Sequence, residues 1–268
     1  LLADKSLDAI YIPLPNSMHA EWAIRAMQAG KHVLCEKPLA LNLAEVTRMF
    51  EVADQHKVML LESYPYWFQP QTRDLLTCLS PDNFGEIRSM QASFGFTLAN
   101  PGTNIRMNPS LGGGSLLDAG SYPISLIRLV MQTAPQRVMA HANWSESGVD
   151  ISMNATLFYA DGRTAQMSCA MNTSTHRRAI VIGSYGTLET EYLNHTSDTH
   201  SHPWNYLPSQ MRVRRGTANS IPFEDIQSAT GSGFRFAAEA FAEVVSKNDT
   251  GAIQRAAAAS KDIAATLD

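Results

Sequence analysis

The chain has 268 residues, 44% of them hydrophobic and 17% charged, with a net charge of −4, which suits one large or two ordinary hydrophobic cores. Its 21 Lys and Arg residues are scattered among 25 acids, so there is no basic footprint for nucleic acid. No run approaches the roughly 18 apolar residues of a membrane helix, and the three cysteines, Cys35, Cys78 and Cys169, are far apart without a C-x-x-C spacing, as expected of reduced thiols in a cytosolic protein.

The sequence opens at Leu1-Leu2-Ala3-Asp4 with neither an initiator Met nor a basic leader, so a piece of a longer protein is expected. Residues 9–12 are a short apolar run, the pattern of a strand buried on both faces, and Pro13 and Pro15 stop it. Asn16 or Ser17 can cap the helix that follows, Trp22, Ala23, Ala26 and Met27 recur at helical spacing, and Gly30 ends it. A second strand at 33–35 runs directly into Glu36, Lys37 and Pro38. In an open parallel sheet ligands sit at the carboxyl ends of strands. Glu36 and Lys37 stand at such an end, and Pro38 disfavours the α region for Lys37, holding it extended. Asn42 with Glu45 resembles a capping box, and Leu43, Val46, Met49, Phe50 and Ala53 form the apolar stripe of another helix before a strand at 58–61 that ends at Glu62. Strand, helix, strand, helix, strand predicts right-handed βαβ units, an α/β Rossmann-like parallel sheet of which only the second half is present. If the sheet binds a dinucleotide, its glycine-rich phosphate turn is expected upstream of Leu1.

Beyond Tyr64 the pattern changes. Residues 149–159 alternate, Asp161-Gly162 turns the chain, and residues 165–171 alternate again, a β-hairpin with one buried face. Further strands are predicted at 138–144, 180–182, 187–192 and 211–213, with Arg212, Arg214 and Arg215 on a wet side. An amphipathic helix carries Phe234, Ala237, Ala240, Phe241 and Val244, and an alanine-rich helix ends the chain. The division is therefore residues 1–64, a partial Rossmann domain, and residues 65–268, an α+β domain with a largely antiparallel open sheet. One face of that sheet needs a cover, and a second copy supplying it predicts a homodimer. Residues 194–208, with His195, His200 and His202 among Ser, Thr and Pro, read as a long loop; Asp198 is the sole nearby acid, so no metal site is expected.

The other informative stretch is Gly112-Gly113-Gly114-Ser115-Leu116-Leu117-Asp118-Ala119-Gly120-Ser121-Tyr122-Pro123. Its glycines permit positive φ or close backbone approach, and a helical pattern follows. Asp118 and Tyr122, four residues apart, share one face of that helix. Pro123 should free the carbonyl of Ala119 and kink the helix beside them.

Together with the segment from Ile12 to His19, the run from Gly30 through Glu36-Lys37-Pro38 to Ala40, and Asn104-Ile105-Arg106, this stretch resembles the Gfo/Idh/MocA oxidoreductases in order and spacing over nearly the whole chain. The resemblance implies an NAD(P) domain followed by a substrate domain. It also implies Lys37 and Tyr122 as the catalytic pair, Asp118 as an orienting or substrate-binding acid, and Pro13, Asn16, His19, Glu36 and Lys37 at the nicotinamide end of an NAD or NADP site. Tyr122, where many members carry His, is closest to the dihydrodiol and sugar dehydrogenase branch. The implied substrate is thus a secondary alcohol of a sugar, polyol or cyclic diol.

That chemistry is consistent with the residues. Oxidising a secondary alcohol needs a base for the hydroxyl proton while hydride leaves the same carbon. A phenol, which titrates near pH 10 in isolation, is a poor base at neutrality, and a neighbouring ammonium favours its ionised form. Arg106, Trp67 and His176 are the substrate candidates, although His176 and Arg177 also fit a solvated strand end. In Glu62-Ser63-Tyr64-Pro65-Tyr66-Trp67-Phe68-Gln69-Pro70, Trp67 and Gln69 stand where relatives usually have Arg and His, which tilts the expectation toward an apolar or aromatic alcohol. Cys35, beside an acid, reads as a small core residue. The alternative to an enzyme is a non-catalytic ligand-binding or dimerising relative.

Overall fold

A computed structural model describes residues 1–198 and 206–268; His200 and His202 of the predicted loop lie outside the described residues. Strands β1 (Ala9–Ile12), β2 (His32–Glu36) and β3 (Leu60–Ser63) form a parallel sheet in that order, joined by helices α1 (His19–Gln28) and α2 (Leu43–His56). Asn42 caps α2 by accepting from the Glu45 amide at 2.9 Å, and the Glu45 carboxylate accepts from Leu41 N at 3.0 Å, one residue earlier than a capping box requires.

After α3 (Pro70–Cys78) and α4 (Pro81–Phe84) come β4 (Ile87–Thr97), α5 (Ser121–Met131), β5 (Arg137–Trp144), β6 (Asp150–Phe158), β7 (Thr164–Ala170), β8 (Asn172–Gly183), β9 (Gly186–Glu191), β10 (Gln210–Arg215) and β11 (Glu224–Asp225). They build an eight-stranded sheet of order β11-β10-β9-β8-β4-β7-β6-β5, antiparallel except where β4 runs parallel to β7. The pattern of the sequence misses β4, because its outward positions are Gln91, Ser93 and Gly95 and its inward ones include small Ala92, a weak alternation. One face of this sheet packs on α5 around Met90, Leu126, Ile127, Leu157, Val181 and Leu188. The other is open, with Met139 57% exposed and Ile182 36% exposed on it.

Helices α6 (Gly233–Lys247) and α7 (Thr250–Leu267), read from the sequence with the second sheet, return to the first one. The period of two along β2 and β3 explains why. Val33, Cys35 and Leu60 point to α1 and α2, while Leu34, Met59 and Leu61 point the other way and are buried by Phe241, Val244, Val245 and Ile253. A parallel sheet needs both faces covered, and these helices supply the second cover. No helix among the described residues is long and apolar enough to cross a membrane.

Candidate active site

Lys37 leaves the carboxyl end of the central strand β2 and meets the segment that precedes α5. That segment is not the kinked α-helix expected from Pro123. Residues 116–120 form a single wide π turn, with the Ser121 amide reaching back to Leu116 O, and α5 then begins at Ser121. Pro123 lacks the N–H that would continue regular bonding, and the wider turn brings both Asp118 and Tyr122 to the lysine. Lys37 Nζ donates to Asp118 O at 2.8 Å and to Asp118 Oδ1 at 3.1 Å, and it lies 4.8 Å from the centroid of the Tyr122 ring. Arg106 Nε holds the other carboxylate oxygen, Oδ2, at 2.6 Å. Burial works against charge on Asp118, but Lys37 and Arg106 outweigh it and keep the carboxyl below its ordinary value. Burial likewise opposes the Lys37 ammonium, and Asp118, with help from Tyr122 and Glu36, holds its proton more firmly than usual. Lys37 is therefore a fixed positive charge across the neutral range.

A cleft of about 170 Å³ opens beside this charge, lined by Pro13, Asn16, Glu36, Lys37, Arg106 and Asp118 among others. Its upper wall is the glycine run. Gly112 has φ of +72°, and a Cβ there would strike Leu41 and Asn16, whose Nδ2 donates to Gly112 O at 2.8 Å. Gly113 lies so close to the Arg106 and Asn108 carbonyls that no side chain fits. Glu36 accepts from the Tyr11 hydroxyl at 2.6 Å. His19 is buried behind the wall, with Nδ1 and Nε2 each 2.8 Å from a carbonyl oxygen, of Pro38 and Leu14 respectively. Burial lowers its proton affinity against the pull of those carbonyls, and the ring sits between the turn after β1 and the turn after β2.

Tyr122 sits in an aromatic cluster, edge-on to Tyr64 at 5.7 Å and to Phe94 at 5.3 Å. Its hydroxyl accepts from Asn194 Nδ2 at 3.0 Å. Arg177 is not a solvated strand end: β8 extends to Asn172, so Arg177 pairs with Phe94 of β4 in mid-sheet, its guanidinium 4.0 Å from the Phe94 ring centroid and 4.5 Å from that of Tyr122. Phe94, His176, Arg177 and Asn194 line a second cavity of about 460 Å³ on this side of the phenol. His176 is among its lining residues, with Nδ1 2.8 Å from Ser174 O and its ring over Gly95. Trp67 lines neither cavity; its indole N–H is given to the Tyr66 hydroxyl at 2.7 Å.

The structure thus gathers Lys37, Asp118, Arg106, Glu36, Asn16 and Pro13 around one cleft and puts Tyr122 against the lysine. It leaves His19 behind the wall, Trp67 in the aromatic core and His176 in the neighbouring cavity. Sequence reasoning misses Asn194, which falls in a segment without periodicity, and passes over Glu62 as a strand-end acid. Glu62 is buried and accepts from Leu39 N at 2.9 Å and Ser260 Oγ at 2.6 Å. That bond links the turn after Lys37 to α7.

Residues 1–64 match the family described as an oxidoreductase family with an NAD-binding Rossmann fold, and residues 74–189 match its GFO/IDH/MocA C-terminal domain. The chain is 34% identical to a D-xylose 1-dehydrogenase (NADP(+)) of Haloferax volcanii, over 95% of this chain and 75% of that protein. It is 30% identical to a trans-1,2-dihydrobenzene-1,2-diol dehydrogenase of Danio rerio, over 89% of this chain and 69% of that protein. Among solved structures, a 3-ketoreductase from Actinomadura kijaniata in complex with NADP and TDP-benzene superposes with a TM-score of 0.83 at 29% identity, over 100% of this chain and 78% of that one.

Proposed function

The chain belongs to the Gfo/Idh/MocA family of NAD(P)-dependent oxidoreductases, and from that premise we propose that it moves hydride between a nicotinamide dinucleotide and a secondary alcohol of a sugar, polyol or cyclic dihydrodiol. The observation that carries this reading is the Lys37 ammonium, fixed by Asp118 and 4.8 Å from the ring of Tyr122.

The cleft fits the nicotinamide end of such a cofactor. It lies at the carboxyl ends of β1 and β2, where an open parallel sheet binds its ligand, and it offers a carboxylate (Glu36), an amide (Asn16) and flat apolar surface from Pro13. When bound, the nicotinamide supplies or accepts the hydride. Tyr122 gives the proton to the substrate oxygen in reduction and takes it back in oxidation. Lys37 polarises that oxygen through its fixed charge. Asp118 keeps Lys37 charged and aimed, and Arg106 completes the neutralisation of Asp118. His19 holds the two loops of the cleft together, and Glu36 and Asn16 bind. The aromatic and cationic walls given by Phe94, His176 and Arg177 suit a ring carrying hydroxyl groups, whose flat faces stack and whose oxygens accept.

We assign cofactor binding to residues 1–64 and substrate binding and dimerisation to residues 65–268, in a cytoplasmic homodimer. The open face of the eight-stranded sheet supports the dimer, since Met139 and Ile182 stand exposed on it, and the free thiols of Cys35, Cys78 and Cys169 suit a reducing compartment. Sedimentation at micromolar concentration is expected to give twice the 29.4 kDa chain mass; a monomer there counts against the dimer. For the reaction, reduction of NAD⁺ and NADP⁺ is followed with D-xylose and other aldoses, inositols and a trans-dihydrodiol. Oxidation of at least one supports the proposal. Failure of every alcohol with both cofactors, in protein that binds neither, overturns it.

A further inference from the structure

We propose that Asn194 is a positioning residue for proton transfer at Tyr122, its side-chain amide donating to the phenol oxygen so that the phenol proton faces the substrate and the ionised phenol is stabilised as it forms. This rests on the reading of Tyr122 as the group that exchanges the proton.

Asn194 Nδ2 donates to Tyr122 Oη at 3.0 Å. A phenol oxygen gives one proton and accepts through its lone pairs. With the amide donating, that proton is not spent on Asn194 and stays available for a substrate oxygen. Once it leaves, the same N–H···O bond has an ionised acceptor, and charge-assisted bonds are about twice as strong as neutral ones. The amide therefore favours the phenolate over the phenol, adding to the Lys37 and Arg177 charges 4.8 Å and 4.5 Å from the ring centroid.

As placed, the amide gives one N–H to the phenol oxygen, and Asn194 Oδ1 is buried with no hydrogen-bond partner among the described residues. Turned over, Oδ1 would instead accept the phenol proton, and truncating the amide would then move the Tyr122 midpoint to lower pH, the opposite of the result expected here. The backbone beneath is held independently. Asn194 O accepts from Gln69 Nε2 and from Gly233 N, each at 2.8 Å, and the same Gln69 amide reaches Gly231 O at 2.9 Å. Gly233 packs so tightly here that a Cβ would press on Asn194 O at 2.7 Å. These anchors act through the main chain, so changing the Asn194 side chain leaves them in place.

The test needs no substrate. Protein isotope-labelled at tyrosine Cζ is titrated by NMR, and the resonance missing from the Tyr122→Phe protein identifies Tyr122 among the eight tyrosines. In Asn194→Ala its titration midpoint is expected to move to higher pH by roughly half a unit or more. Asn194→Asp keeps the shape but removes the donor and adds a negative charge, so it should move the midpoint further than Ala does. The added charge raises the midpoint in Asp whatever the role of Asn194, so the Ala variant carries the test, and a packing role alone leaves its midpoint in place. A midpoint unmoved or lowered in Asn194→Ala overturns the inference. Its failure is distinguishable from that of the reading beneath it: full turnover in Tyr122→Phe removes the proton-transfer role of Tyr122, whatever the titration reports.

Discussion

Tyr122→Phe is expected to lower turnover by about 10²–10⁴-fold, the range of a lost general acid–base group, while cofactor affinity stays nearly unchanged. The ring remains to pack edge-on against Tyr64 and Phe94, so the loss reads on the hydroxyl alone. Lys37→Met should fall in the same range for a different reason. It removes the fixed charge beside the phenol yet leaves Asp118 paired with Arg106 at 2.6 Å, so the carboxylate does not become an unpaired buried charge, the usual route to unfolding when one partner is deleted. Single-turnover rates measured alongside cofactor titration separate chemistry from binding. Wild-type rates in either variant would refute the catalytic pair, and parallel losses of rate and cofactor affinity would make Lys37 a binding residue instead.

Glu62 should make the protein less stable as the pH rises through neutrality. Burial pushes its carboxyl from 4.5 up to about 7, against the opposing pull of Ser260, Leu39 and Lys37. The folded state therefore holds a proton that the unfolded state has released. That contribution to stability is complete below pH 4.5 and is lost as the pH rises through about 7. At about 1.4 kcal/mol per pH unit of displacement the full effect is on the order of 3 kcal/mol. Glu62→Gln imitates the protonated acid, since its carbonyl can accept from Leu39 N while its amide donates to Ser260 Oγ. Urea unfolding at pH 5 and pH 8 should show that slope in the wild-type protein and its near absence in Glu62→Gln, which is then the more stable of the two at pH 8. An undiminished slope in the variant would assign the dependence to other groups. Because Leu39 follows Lys37-Pro38, ionisation of Glu62 also bears on the turn that aims the lysine.

The legible parts of the site were those with chain-local causes. Pro38 after a strand end marks Lys37, the glycine run marks a close approach, and the four-residue step from Asp118 to Tyr122 marks a shared face. Partners were less legible. Nothing local to Asn194 or Arg177 says that they meet Tyr122, because each arrives from a different part of the second sheet and its loops. Trp67 reads as a substrate candidate because it stands where relatives usually have Arg, but its indole N–H is held by the Tyr66 hydroxyl, itself 2.7 Å from Ser125 Oγ.

Hydrophobic period and turn chemistry by themselves determined the parallel βαβ run, the hairpin of β6 and β7, and the acid–base pair beyond β2, because each depends on residues within a few positions of one another. Tertiary structure decided the rest: that β4 enters the middle of the second sheet, that the Pro123 defect becomes a π turn, and that α6 and α7 close the far face of the first sheet. Those outcomes depend on which face finds which partner far along the chain, as Ser89 of β4 finds Thr164 of β7 and Ser260 finds Glu62 at a separation of 198. Side-chain periodicity says that a face must be buried, and only packing in three dimensions selects what buries it.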